Sequence, residues 1–235
     1  AGGNLGFCRP AVADWLAHGR PDLIVTGAGG DVLLLPNDGS FQEPRFGHPV
    51  VIRCEEEPLF LPPRVAPAIA AWTNPPALDL IALDLQGFLC AYPVTGRQSV
   101  GRPVLLVDHL GRRIRLDGGF GLSGRCAIWA GPWTAAGKTD LLIGLARGNR
   151  HVIAATTGIG LEDAQTLPTV LLLKQLPGGV VSPRPLRHRD GRPVAIGQEG
   201  CCPQGVPRSG QDLPDLLIGS DDGTLSWIAR QDLDW

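Results

Sequence analysis

Residues 214–229 read PDLLIGSDDGTLSWIA: an Asp, a short apolar run, a polar stretch ending in Gly, then a second apolar run. The pattern recurs three times upstream, as PDLIVTGAGGDVLLLP from Pro21, LDLIALDLQGFLCAYP from Leu78 and TDLLIGLARGNRHVIA from Thr139. In every copy a Gly follows the Asp by eight positions, giving Asp22/Gly30, Asp79/Gly87, Asp140/Gly148 and Asp215/Gly223. A Trp precedes the Asp by seven in three copies, at Trp15, Trp72 and Trp133, and Arg208 takes that place in the fourth. Successive Asp residues lie 57, 61 and 75 apart, a period that belongs to a repeat architecture.

Each copy reads as strand, loop, strand, turn, strand. The first strands are expected over residues 11–15, 66–72 and 126–133. The DLIV-type runs suit a strand buried on both faces. The Gly-containing stretch supplies the positive φ that a hairpin turn requires. Third strands follow at VLLLP, FLCAYP, HVIAA (residues 151–155) and TLSWIA, with weaker fourth strands within residues 41–53 and 101–109. Four short strands per unit predict an all-β chain, a β-propeller with four recognisable four-stranded blades. The expected units are residues 7–58, 59–117, 118–185 and 186–235 of a single domain. They form either a closed four-bladed ring or part of a larger one whose other blades lie on another chain or in an absent segment. A β-sandwich would give no reason for a recurring Trp-x6-Asp-x7-Gly.

Composition agrees. The 235 residues include 32 Gly and 22 Pro with no G-X-Y period, so turns are many and a helix bundle is excluded. Lys and Arg number 21 against 23 Asp and Glu, a net charge of −2, which gives nucleic acid nothing to hold. No apolar run is long enough for a transmembrane helix. The opening Ala-Gly-Gly, without Met or a basic-then-apolar leader, reads as a processed chain or a fragment.

The repeats resemble the FG-GAP/VCBS type of propeller repeat, seen in integrin-like adhesion receptors, lectins, and polysaccharide lyases and hydrolases. Its signature is an acidic loop D-x-D-G-D-G-x-x-D, then L-(L/I/V)-(V/I)-G and an (E/D)-D-G hairpin. PDLLIGSDDGTLSWIAR matches the second half, and Asp14, Trp15, Gly19 and Asp22 keep the loop length in copy one. The resemblance implies Ca²⁺ held by carboxylates at the first, third and fifth loop positions. Here those positions carry Asp14, Leu16 and His18 in copy one, Ala71, Thr73 and Pro75 in copy two, and Pro132, Thr134 and Ala136 in copy three. Copy four has only Asp212 in its loop. A hard cation needs about six oxygen ligands, so no cofactor is expected, and Asp14 with Asp22 is the best of weak calcium candidates. The closing Asp residues are read instead as acceptors for loop N–H groups, and the Trp residues as packing between blades.

Catalytic candidates are few. Tyr92 and His151 are considered, and so is Glu199 in VAIGQEGCCPQ. There the resemblance implies a channel-facing His as a lyase base, and this chain carries Gln198 and Glu199. No nucleophile elbow, P-loop or metalloprotease motif occurs. Arg113 and Arg115 fall on one face of an extended segment and suit uronate carboxylates or acidic peptides. Arg150 and Gln198 are further ligand-binding candidates. The six Cys residues show no zinc spacing, and a secreted, extracellular or periplasmic location is expected, one that permits disulfides. Cys8 and Cys126 occupy equivalent positions as candidate buried thiols, and Cys201–Cys202 could form a strained vicinal disulfide. The leading functional expectation is a non-catalytic binding module, partnered by other protein chains or an acidic glycan. The alternative is a lyase or glycosidase on acidic glycans, needing His151 or Tyr92 beside Arg113 or Arg150 in one channel.

Overall fold

A computed structural model describes residues 8–116, 126–146, 169–176, 179–197 and 200–234. The chain is all-β; the one helical element lying wholly among the described residues is a 3₁₀ turn, Arg230–Asp232. No helix among them is long and apolar enough to cross a membrane.

Each repeat builds one antiparallel sheet. The first runs Arg9–Ala13, Asp22–Thr26, Val32–Leu35, Val50–Val51. The second runs Ala68–Ala71, Leu78–Leu83, Leu89–Gly96, and both Ser99–Val100 and Val104–Leu105 pair with that last strand. The third runs Cys126–Gly131, Asp140–Leu145, Val170–Gln175, Val181–Pro185. The fourth has three strands, Cys201–Val206, Asp215–Ser220 and Leu225–Ile228. The second strands are the most apolar and the most buried; Asp140–Leu145 is buried throughout. One expectation is corrected here. The third strand of the third sheet is Val170–Gln175, while residues 151–155 lie outside the described residues.

A further repeat emerges after the third strands. The amides of Ile52, Leu106 and Leu186 donate to the carbonyls of Val32, Leu89 and Val170. The chain then turns back, and Leu59, Ile114 and Val194 donate to Ile52, Leu106 and Leu186. All six of these returning apolar residues are buried. Each hairpin belongs to the sheet before it, so the first three units extend to about Leu61, Leu116 and Ile196. The tips pair onward with the next repeat: Arg53–Cys54 with Ser99–Val100, Asp108 with Val181, and Arg187–His188 with Leu233–Asp234.

The turn glycines have the expected backbone but unlike surroundings. Gly30, Gly87 and Gly223 do share a positive φ, +88°, +82° and +82°. Each also donates its amide back three residues, to the carbonyls of Gly27, Asp84 and Ser220. Their surroundings differ. Gly30 and Gly87 are buried, and their carbonyls accept the amides of Leu61 and Leu116 from the returning hairpins. A Cβ at Gly30 would strike the Leu61 carbonyl oxygen, so close approach as well as φ demands glycine there. Gly223 is exposed, and a Cβ on it would meet open space. It serves the turn alone.

The sheets are also joined through the Trp residues, all three buried. Trp15 Nε1 donates to the Arg97 carbonyl of the second sheet at 3.0 Å. The Trp72 carbonyl accepts from Gln175 Nε2 of the third sheet. The Trp133 carbonyl accepts from Arg230 of the fourth repeat, whose guanidinium lies 4.7 Å over the Trp133 ring. The first strands pack in succession, Arg9–Ala13 on Ala68–Ala71, then Cys126–Gly131, then Cys201–Val206. Gly144 allows this last approach, because a Cβ there would strike the Cys201 carbonyl oxygen.

The four Asp residues are buried and fix the strand entries. Asp22 accepts the amides of Leu16 and Asn37. Asp79 accepts the amides of Trp72 and Thr73 and the Thr73 hydroxyl. Asp140 accepts the amide and hydroxyl of Thr134 and the amide of Gln175, and Asp215 accepts the Arg230 amide. Replacing Asp140 by Ala leaves three donors without an acceptor in a dry site, a loss of about 3 kcal/mol. Urea unfolding of Asp140→Ala should show that loss, and should show a far smaller one for exposed Asp14→Ala.

The hairpin carboxylate Asp108 carries an acid-stability signature. Burial raises its pKa, but the Arg112 amide and guanidinium and the Leu110 amide outweigh this and hold it below the ordinary value. A depressed folded pKa contributes stability that is present above the unfolded value and lost as pH falls through the folded one. Asp108→Asn should therefore flatten the fall in unfolding free energy between about pH 4 and pH 2. Urea titrations across that range read the difference.

Candidate functional site

Thirteen residues ahead of the buried Asp, the four repeats carry Arg9, Ala66, Ala127 and Cys202. The structure brings this register together. Ala66 bridges Ala127, and Arg9 Nη1 donates to Cys202 Sγ at 3.3 Å, so a residue of the first sheet touches the fourth. Around them opens a cavity of about 440 Å³, lined by Arg9, Arg64, Cys126, Cys202, Ser220 and Asp221 among others. Arg64 is held at the entry to the second sheet with φ of +71°, a backbone state uncommon for a residue with a side chain. The turn glycines Gly30, Gly87 and Gly223 are not in its lining. They shape the sheets rather than the site.

The cavity carries both signs of charge. Arg9 and Arg64 bring guanidinium groups, Asp221 a carboxylate, and Ser220 a hydroxyl. Burial pushes the Cys126 thiol up to about 12, with Cys202 adding to the rise and Arg9 opposing it. Cys126 is therefore a neutral thiol at physiological pH. Among the described residues, neither His nor Tyr lines this cavity.

All six Cys residues are free thiols, so the disulfides that a secreted location would permit are not formed. Cys8 is exposed rather than buried, because it stands one residue ahead of its strand, whereas Cys126 is buried at the start of its own. Cys201 and Cys202 are successive strand residues whose side chains face opposite sides, one buried and one lining the cavity with Arg9, which keeps them from bonding to each other.

The weak calcium pair acquires a third member. His18 lies between the two carboxylates, Nδ1 3.3 Å from Asp14 and Nε2 3.1 Å from Asp22. Burial works against the charge of Asp14, but the His18 and Gly19 amides and the His18 ring together outweigh it and lower its pKa. Asp14, His18 and Asp22 offer one imidazole and two carboxylates, short of the oxygen-rich set calcium takes. One ligand atom from each of the three lies within 4.8 Å of the others. In the second and third loops, Thr73 and Thr134, at the place of Leu16, donate their hydroxyls to Asp79 and Asp140.

The other candidates are dispersed. Tyr92 is buried in the main core, where burial first, then Cys90 and Asp84, raise its phenol pKa. Arg113 and Arg115 are exposed on the second hairpin, with guanidinium groups 5.9 Å and 5.7 Å from the Phe88 ring centre. They share a face, but Tyr92 is not on it, and neither Arg lines the cavity. Gly148, Arg150, His151, Gln198 and Glu199 lie outside the described residues.

Comparison with known proteins supplies no identity: no family model matches this chain, and no curated protein is significantly similar to it.

Thiol accessibility tests this site. Cys90, Cys126 and Cys201 are buried with pKa values pushed up to about 12 by burial. Titration of the native protein with an aromatic disulfide should label Cys8 quickly and those three only on unfolding. Peptide mapping by mass spectrometry assigns each thiol.

Proposed function

We propose that this chain is a β-propeller binding module, non-catalytic, working in an extracellular or periplasmic assembly. The four sheets are the blades, the first strands ring the axis, and the cavity at Arg9 and Cys202 is the ligand-facing end of that axis. The contact from Arg9 to Cys202 carries this reading, because it joins the first repeat to the fourth at one register. The FG-GAP/VCBS-like repeat supports the same architecture. Binding is favoured over catalysis because the cavity is led by a neutral thiol and guanidinium groups, and its hydroxyl–carboxylate contact, from Ser220 Oγ to Asp221 at 3.3 Å, joins neighbouring residues at an exposed turn.

The ligand class follows from Arg9 and Arg64. Two guanidinium groups against the one carboxylate of Asp221 leave the named lining with a cationic excess, which favours carboxylate-bearing ligands, such as acidic oligosaccharides. The same observation favours the second reading, a carbohydrate-active propeller on acidic glycans, which needs in addition a base able to abstract a proton.

Oligouronates added to the protein should raise its melting temperature in a saturable way while producing no unsaturated sugar. Arg9→Ala should weaken binding by roughly tenfold, as expected for loss of one charge-assisted hydrogen bond. Catalytic accumulation of unsaturated product would overturn the binding-module reading in favour of a lyase. No thermal shift with any acidic oligosaccharide would remove the assignment of this cavity to such ligands.

A further inference from the structure

The fourth sheet differs from the other three in what covers its third strand. Val32, Leu89, Val170 and Leu225 are equivalent by register, pairing with Thr26, Leu83, Gly144 and Gly219, each four residues past its buried Asp. In the first three sheets that residue and the one two further on are buried: Val32 and Leu34, Leu89 and Ala91, Val170 and Leu172. In the fourth sheet the same two positions hold Leu225 and Trp227, which are 73% and 53% exposed. They are as apolar as their counterparts, yet they face solvent.

The cover in the first three sheets is a fourth strand, antiparallel to the third, followed by the returning hairpin. Its sequences share a form not apparent until the strands are superposed by their hydrogen bonds. They are His48-Pro49-Val50-Val51-Ile52, Arg102-Pro103-Val104-Leu105-Leu106 and Ser182-Pro183-Arg184-Pro185-Leu186. The common element is Pro-x-x-(Ile/Leu), and the final apolar residue donates its amide to Val32, Leu89 or Val170. Proline suits an outer strand because it has no N–H to leave unpaired at the rim. Among the described residues, Leu225–Ile228 pairs with Asp215–Ser220 alone. Its outer edge has the Leu225 carbonyl where the other sheets have their acceptor.

Charge narrows the occupant further. The turn that feeds this strand carries Asp221 and Asp222. Two of the three covering segments place an Arg directly after the Ile or Leu, Arg53 and Arg187. A segment with that Arg would bring a cation toward an acidic turn.

We propose that the Leu225–Ile228 edge is a docking site for an extended Pro-x-x-(Ile/Leu)-Arg segment of a partner protein, added as the fourth strand of the fourth sheet. The main-chain ladder supplies affinity and the apolar face of Leu225 and Trp227 supplies selectivity. The inference stands on strand pairing within sheets and does not require the ring to close or the axial cavity to bind anything.

A synthetic peptide of residues 47–61 of this chain, GHPVVIRCEEEPLFL with Cys54 replaced by Ser, is the probe. Added to the full chain, it should bind saturably, shield Trp227 from iodide quenching, and slow amide exchange across Leu225–Ile228. Leu225→Asp, at a position exposed enough to leave folding intact, should weaken binding by roughly tenfold or more. A peptide with the same composition in scrambled order should not bind. Absent binding, binding indifferent to Leu225→Asp, or equal binding of the scrambled peptide overturns the proposal. A concentration-dependent dimer in light scattering, abolished by Leu225→Asp, would also overturn it, by assigning the edge to a second copy of this chain.

Discussion

The fold rests on four carboxylates kept out of water. A buried Asp is tolerated only when donors meet its carboxyl group, and here the donors come from places the chain must bring together. Asp22 takes one amide from the loop before its strand and one from Asn37, beyond the third strand. Asp140 does the same with Thr134 and Gln175. One side chain thus ties the loop between the first two strands to the end of the third. Because the carboxylate sits at or next to the first residue of the central strand, it also sets where that strand begins. The seven-residue offset to Trp15, Trp72 and Trp133 then places a Trp at each seam with the next sheet, where the Trp15 indole meets Arg97, the Trp72 carbonyl meets Gln175, and the Trp133 ring and carbonyl meet Arg230.

The four loops solve the same problem with different donors. In the second and third, a Thr hydroxyl joins a main-chain amide at the Asp. In the first, the donors are the main-chain amides of Leu16 and Asn37, with the His18 ring lying between Asp14 and Asp22. In the fourth, Arg208 stands 3.7 Å from Asp215 in the position the Trp holds elsewhere, at the weak limit of an ion pair. Such variety is what a loop held by hydrogen bonds permits. An N–H or O–H donor can come from many residues, so the loops can differ while the Asp stays the same.

Legibility in the sequence followed spacing. The central strands and their turns could be read because Asp and Gly keep an eight-residue offset in every copy, and both meet a physical demand that few other residues satisfy. Spacing could not tell Gly30 and Gly87, which carry a returning hairpin, from exposed Gly223, since all three satisfy the same φ. The third strand of the third sheet could not be read, because its pairing partner lies past a long insertion and VLLLKQ has no Gly turn at the usual distance. The fourth strands expected within residues 41–53 and 101–109 lie there, as Val50–Val51 and Val104–Leu105, but the hairpins that follow them rest on bonds between main-chain atoms, which leave no mark in the sequence. Alternation placed Arg113 and Arg115 on one face, as found, but could not show that Phe88 lies under them. The cavity was least legible. Its residues Arg9, Ala127 and Cys202 share a register, but three unlike side chains at a shared offset suggest nothing until the strands surround a common space.

The exposed apolar pair on the fourth sheet has a plain alternative, since isolated surface Leu and Trp residues are common in folded proteins. Two considerations weigh against scatter. The first is position: Leu225 and Trp227 occupy the two register points that are buried in all three other sheets. The second is energy, because leaving two large apolar side chains in water forgoes about 2 kcal/mol each of the burial their counterparts enjoy. An edge with no neighbouring strand among the described residues is also a template for unwanted strand pairing, which proteins usually blunt with Lys, Pro or an inward charge. This strand reads Leu-Ser-Trp-Ile and carries none of those devices. An edge that is apolar, unguarded and built like three covered ones has the properties of a surface shaped to be covered.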